Sequence, residues 1–100
     1  MTEKRIYQMH AEICKVFTSP RRLEIINILR DGEKSVGELV EKVGIRQANI
    51  SQHLAVLREK GVVVLRKDGQ NVFYSLANPK IIQACDIMRD VLIEQLKATG

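Results

Sequence analysis

The segment Ile45–Val64, reading IRQANISQHLAVLREKGVVV, restricts the fold more tightly than any other part of this chain. It holds a short amphipathic helix, a glycine stop and the start of a strand. Ile50, Leu54 and Leu57 recur at i, i+4 and i+7, so they share one helix face. The opposite arc carries Ala48, Gln52 and Ala55, flanked by Asn49 and Ser51. A solvent-facing arc is usually rich in Lys and Glu, but this one stays small and amide-bearing until Glu59. Such a surface can press closely against another, and the paired donors and acceptors of Asn and Gln suit base edges. On its own the helix is equally well a core helix with a polar back. Its neighbours decide between the two.

Val62-Val63-Val64-Leu65 is apolar and mostly β-branched. Arg66-Lys67-Asp68-Gly69-Gln70-Asn71 reads as a turn, and Val72-Phe73-Tyr74-Ser75-Leu76 as the returning strand. Asp-Gly between two such runs is a strong hairpin signal, because glycine accepts the positive φ the turn requires. The expected tip carries Arg66 and Lys67. A basic hairpin beside a polar helix is the layout of a winged helix, with the helix in a major groove and the hairpin on phosphate or in the minor groove. From Arg46 to Asn71 the chain has five basic and two acidic residues, net +3, as a polyanionic partner would require.

The 100 residues suffice for one domain with one modest core, so the domain is expected to span 1–100. A net charge of +4 suits a nucleic-acid partner, while four aromatics and no tryptophan are too few to stack single-stranded bases. This points to duplex DNA. No apolar run reaches membrane-spanning length, and MTEKRIYQMHAE lacks the apolar stretch of a signal peptide. The expected location is the cytoplasm, with no membrane partner and both cysteines reduced.

The chain divides into six units. A first helix is expected from about Glu3 to Phe17, with Ile6, Met9, Ile13, Val16 and Phe17 on one side. Ser19-Pro20 opens a second, which carries Leu23, Ile26 and Leu29 and ends at Asp31-Gly32. Ser35-Val36-Gly37-Glu38 is a capping-box start for a third, which stops at Gly44. The helix of the opening segment and the hairpin follow. Asn78-Pro79 then starts a last helix, to about Lys97. The third and fourth helices, joined around Gly44, form a helix-turn-helix. The expected class is mainly α with a small β-hairpin: a winged helix-turn-helix of about five helices and a two-stranded wing.

In the last helix Ile81, Ala84, Cys85, Met88, Leu92 and Leu96 form an apolar stripe, which Ile82, Ile87, Val91 and Ile93 widen beyond what one small core needs. The first helix is similarly apolar. Apolar surface on this scale is unusual on a soluble monomer. The expectation is a homodimer, in which two recognition helices would lie about 34 Å apart, one DNA turn. The alternative is that both helices close a monomeric core.

The run Phe17-Thr18-Ser19-Pro20-Arg21-Arg22-Leu23-Glu24-Ile25-Ile26, the start Ser35-Val36-Gly37-Glu38-Leu39, the signature Ile50-Ser51-Gln52-His53-Leu54-Ala55-Val56-Leu57-Arg58 and the hairpin from Asp68-Gly69 to Val72-Phe73-Tyr74-Ser75-Leu76 resemble the ArsR/SmtB family of winged-helix repressors. The resemblance covers nearly the whole chain in order. It implies a homodimeric repressor that leaves its DNA operator when a metal, metalloid or thiol-reactive species is sensed. Gln47, Ala48, Asn49, Ser51 and Gln52 are expected to face the major groove. Arg46, Arg66 and Lys67 are expected to neutralise phosphates, with Gln70 beside them on the hairpin. His53, near the apolar edge, is expected to pack or to meet phosphate. Arg46 stands where the family often has a small polar cap.

The family's usual sensing residues do not transfer. The helix before the turn, Glu38-Leu39-Val40-Glu41-Lys42-Val43, has no cysteine pair, and the last helix has Asp86 and Asp90 but no histidine. The only thiols are Cys14 and Cys85, one on each expected interface helix. Three readings stay open. The pair is a thiol switch bridged by a disulfide or by extra sulfur; or His10, Cys14 and Cys85 bind a soft metal or metalloid, His10 and Cys14 being i,i+4 neighbours; or both cysteines serve as small hydrophobes. No resident cofactor is expected. Nor is an enzyme: Ser51 and His53 at i,i+2 point about 160° apart on a helix, and the chain has no Gly-rich phosphate loop, no HExxH and no CxxC.

Overall fold

The computed structural model describes residues 2–99; Met1 and Gly100, the ends of the expected domain, lie outside the described residues. The elements in order are α1 (Glu3–Val16), α2 (Pro20–Ile28), a 3-10 turn (Leu29–Asp31), β1 (Lys34–Ser35), α3 (Val36–Val43), α4 (Gln47–Glu59), β2 (Val63–Asp68), β3 (Asn71–Leu76) and α5 (Lys80–Thr99). Each expected helix is present, and apart from the C-terminal end of α2 the stated ends agree within about two residues. Local chemistry sets the starts. Thr2 accepts from the Arg5 N–H, Ser19 from the Arg22 N–H with Pro20 following it, and Asn78 from the Lys80 N–H. At α3 the capping box is complete: the Ser35 hydroxyl accepts from the Glu38 N–H at 3.2 Å, and the Glu38 carboxylate accepts from the Ser35 N–H at 3.1 Å.

Two expectations about α2 need correction. The α-helix ends at Ile28 and tightens into the 3-10 turn, so it does not run to Asp31. Leu23 is also exposed; the residues of this segment that enter the core are Ile25, Ile26 and Leu29.

Between α3 and α4 the chain turns at Gly44, which adopts φ 78° and donates its N–H to the Val40 carbonyl at 2.8 Å. Only glycine takes that left-handed position without strain, so α3 stops there and α4 can cross it. Ile50, Leu54 and Leu57, the apolar face of α4, are fully buried. They meet Ile25, Ile26 and Leu29, Leu39 of α3, Val16 of α1, and Val62 and Val63 in one core.

The wing differs from the expected two-stranded ribbon. The sheet has three antiparallel strands in the order β1-β3-β2, since Lys34 and Ser35 pair with Tyr74 and Phe73. The expected six-residue turn from Arg66 to Asn71 shrinks to Gly69-Gln70, because Asp68 and Asn71 still pair across the ladder. Gly69 has φ 62° and Gln70 does not have positive φ, the pattern of a type II′ turn, whose twist matches that of the flanking strands. The ladder therefore continues through Arg66 and Lys67, which lie in β2 and not at the tip. Val62 lies outside the ladder, its N–H donated back to the Leu57 carbonyl at 2.8 Å.

The two terminal helices each divide lengthwise. In α1, Val16 is buried, with Ile13 and Phe17 packed on the core, while Ile6, Tyr7 and Met9 are exposed. In α5, Ile81, Ile82 and Cys85 touch the same core, and no residue of the helix is fully buried. From Ile87 onward Met88, Val91, Leu92, Ile93 and Leu96 all face outward. The expected single stripe on α5 is thus split between the protomer's own core and an uncovered half. Among the described residues no helix is long and apolar enough to cross a membrane.

Candidate nucleic-acid interface and the two thiols

Burial of Ile50, Leu54 and Leu57 forces the rest of α4 outward. Gln47, Ala48, Asn49, Ser51, Gln52 and Ala55 are all exposed, and none of them takes part in an ion pair or side-chain hydrogen bond among the described residues. The helix begins at Arg46 without a capping side chain; the Arg46 carbonyl accepts from the Asn49 and Ile50 N–H groups at 3.0 and 3.1 Å. The N–H groups of the first helical residues, Gln47 and Ala48, therefore point out of the helix start with no side chain over them.

His53 is half-buried at the edge of this arc. Burial, and then the positive charges of Arg22 and Arg21 from α2, hold its imidazole below the ordinary range. Arg22 is fixed in turn by its Nε–H, which donates to the Val16 carbonyl at 2.8 Å. Arg21 pairs with Glu24 at 3.1 Å. Sequence reasoning did not bring these two charges near His53, because the proximity arises from the packing of α2 against α4.

On the hairpin the three expected contact residues separate. Gln70 sits at the tip, and Lys67 is exposed with no ion-pair partner among the described residues. Arg66 is engaged: its guanidinium makes two bonds to the Glu33 carboxylate, at 2.6 and 3.1 Å, and lies 4.9 Å from the centre of the Phe73 ring. The pairing holds Glu33 below the usual carboxylate range. Neither Glu33 nor Phe73 was expected to contribute. Glu33 precedes a strand only two residues long, too short to show alternation in the sequence.

Cys14 is exposed on α1, and Cys85 is half-buried on α5; both are free thiols. Burial, with the neighbouring Asp86, pushes the Cys85 thiol up. Asp86 is itself gripped by Arg30 at 2.7 and 3.2 Å, and the same guanidinium takes the Asn27 side-chain carbonyl at 2.6 and 3.0 Å. This cluster ties the first turns of α5 to the end of α2. His10 is exposed on α1. Among the described residues no three His, Cys, Asp or Glu side chains come together as a metal site, so the alternative set His10, Cys14 and Cys85 is not assembled within one chain. Cys85 is drawn onto the protomer core, while Cys14 stays outside it.

A central helix-turn-helix, an exposed amide-rich helix face and a flanking hairpin define a winged helix-turn-helix, and the comparisons with known proteins agree. Residues 19–64 match the family described as bacterial regulatory protein, arsR family. The HTH-type transcriptional regulator Rv0081 of Mycobacterium tuberculosis is 39% identical over 97 residues, covering 96% of this chain and 85% of its own. Its crystal structure aligns with a TM-score of 0.84 over 93% of this chain and 94% of that one. The biofilm growth-associated repressor of Xylella fastidiosa is 38% identical over 95 residues, covering 95% and 82%. A homodimeric winged helix-turn-helix domain from Mycobacterium bovis shares the fold, with a TM-score of 0.86 at 23% identity over 98% of this chain and 93% of that one. The chain belongs to the arsR family of bacterial regulatory proteins, and its relatives are transcriptional regulators.

Proposed function

We propose that this chain is a homodimeric repressor that binds a specific duplex DNA operator through α4 and the wing and is released by an inducer acting at its thiols. The observation that carries the DNA reading is the outer face of α4. Six exposed small or amide-bearing residues surround no charge pair, on a helix whose other face is locked into the core. Gln47, Asn49, Ser51 and Gln52 can read base edges, and Ala48 allows the helix to approach the groove closely. Arg46, Lys67 and the open N–H groups at the helix start suit phosphate, with His53 at the rim and Gln70 at the wing tip.

The dimer reading rests on α1 and α5, which leave Ile6, Met9, Leu92, Leu96 and their neighbours uncovered in the protomer. A partner copy is the simplest cover. The homodimeric Mycobacterium bovis domain supports this, as does the need to match two half-sites about one DNA turn apart.

The thiol reading rests on where the two cysteines lie. Cys14 is exposed in the protomer, while burial raises the Cys85 thiol and leaves less of it as thiolate. Cys85 adjoins the Arg30–Asp86 cluster that anchors α5, so a bridge formed there would shift the helix.

The test is fluorescence anisotropy with a library of duplexes at several salt concentrations. A selected operator should be preferred over random duplex by about 10³-fold or more, with a steep salt dependence. Binding with no preference at any salt concentration would refute the reading.

A further inference from the structure

The wing carries one arginine that is already bound. β2 pairs with β3 so that Arg66 faces Phe73, and Phe73 faces Ser35 of β1. These three residues form a row across the sheet, on the face opposite the buried Val63. Glu33 stands two residues before Ser35 and reaches the same face. The Arg66 side chain crosses the Phe73 ring and closes on Glu33 with two parallel bonds, spanning all three strands. Asp68, at 3.8 Å, adds a second carboxylate on the near side. The far end of this span is Ser35, the N-cap of α3. The row therefore joins the hairpin to the start of the helix-turn-helix.

We propose that Arg66 is a positioning residue: paired with Glu33 across Phe73, it fixes the angle of the wing against the helix-turn-helix and does not itself bind phosphate. This rests on the DNA reading above for its function, but not for its geometry. A guanidinium with Nε and Nη2 on one carboxylate, a second carboxylate 3.8 Å from Nη1 and one face on a ring already has its charge matched within the wing, although its side chain stays 52% exposed. Lys67, the next residue, is exposed and unpaired among the described residues, and it supplies the phosphate contact. The alternation of the strand sends the two side chains to opposite faces of the sheet. Adjacent cations thus take separate work, Arg66 for shape and Lys67 for charge.

The test exploits the opposite charges of the two partners. Glu33→Gln, Arg66→Gln and the charge swap Glu33→Arg with Arg66→Glu are compared with the wild type. Amide hydrogen exchange is first read in the free protein. Both single variants should speed exchange across β2 and β3, leave the α4 amides unchanged, and be reversed by the swap. Operator affinity is then measured against salt. Both single variants should weaken binding by a similar factor, about two- to fivefold, although one removes a negative charge and the other a positive one. The slope of log K on log[salt] should not change in either, and the swap should restore affinity.

Several outcomes overturn the proposal. If Arg66 reaches phosphate, Arg66→Gln lowers the salt slope by about 0.9 and the swap loses binding altogether. If Glu33 merely withholds Arg66 from DNA, Glu33→Gln tightens binding and steepens the slope. Unchanged hairpin exchange in both single variants shows that the pair positions nothing. If the wild type binds no duplex, the DNA reading fails, and the exchange measurements still decide whether Arg66 and Glu33 hold the wing.

Discussion

Replacing Leu92 with glutamate tests the assembly directly, because this leucine is not part of the protomer core. It is 53% exposed on the outer half of α5, so a partner would remove about half a leucine side chain from water, worth about 1 kcal/mol. A two-fold interface contains the residue twice, which makes about 2 kcal/mol per dimer. Glutamate forfeits this contribution and adds two carboxylates that must be stripped of water without a partner, at several kcal/mol per ion. The dimer dissociation constant should rise by at least about a thousandfold. Sedimentation equilibrium at tens of micromolar should then show a dimer for the wild type and a monomer for Leu92→Glu. Circular dichroism should show the helix-turn-helix still folded, since the side chain lies outside the core. Leu92→Ala, which loses apolar contact without adding charge, should weaken the dimer by about ten- to thirtyfold. Operator affinity should fall with dimer content in both variants. A Leu92→Glu protein that stays dimeric, or a wild type that is monomeric at that concentration, would refute the interface.

Three further expectations follow from the site. Gln52→Ala should relax preference at one base position at a cost of about 1–3 kcal/mol, whereas Lys67→Ala should weaken every duplex alike and lower the salt slope by about 0.9; anisotropy against a mutated operator set separates the two. A Cys14→Ser, Cys85→Ser double variant should remain on DNA when treated with disulfide or polysulfide; release equal to the wild type in a gel-shift titration would place the sensor elsewhere. The melting temperature should be flat between about pH 7 and Cys85's ordinary value of 9.0, above which its raised thiol costs stability; it should decline below His53's ordinary value of 6.5 and decline further below about 4.5. His53 is held below its ordinary range, so the stability it contributes is full above 6.5 and lost as pH falls through its folded value. Glu12, Glu33, Glu38 and Asp86 are likewise held below theirs, by Lys15, Arg66, Ser35 and Arg30, and act in the same direction at lower pH. A melting temperature that rises between pH 7 and 6 would contradict this sign.

Much of the fold was legible because it is written in local chemistry. The capping box at Ser35, the Ser19-Pro20 start and the i, i+4, i+7 spacing in α4 each act within a few residues, and the structure has all three. The errors arose where one side chain answers to a distant one. Leu23 and Ile25 are both apolar on one short helix, and only the position of α4 decides that Ile25 goes inside. Arg66 and Lys67 read as equivalent cations until Glu33, 33 residues earlier, selects one of them. The two-residue β1 has no periodicity to detect, so neither the third strand nor the acid before it announced itself. The thiols were correctly placed on the two outer helices, but their unequal burial depends on packing that sequence spacing does not encode.

One asymmetry among the helix starts carries a wider meaning. Helices α1, α2, α3 and α5 each begin under a side-chain oxygen from Thr2, Ser19, Ser35 or Asn78, whereas among the described α-helices α4 alone begins under a residue that offers none. A Ser, Thr, Asp or Asn at position 46 would add about 1 kcal/mol to the stability of a small protein. The chain forgoes that increment at the helix we propose for the DNA groove, where Arg46 leaves the first N–H groups uncovered. Selection for heat resistance alone would install a hydroxyl or a carboxylate there and cover the donors a phosphate would use. Position 46 is therefore a place where durability and grip pull in opposite directions, and where a stabilised version of this protein would be most easily spoiled as a regulator.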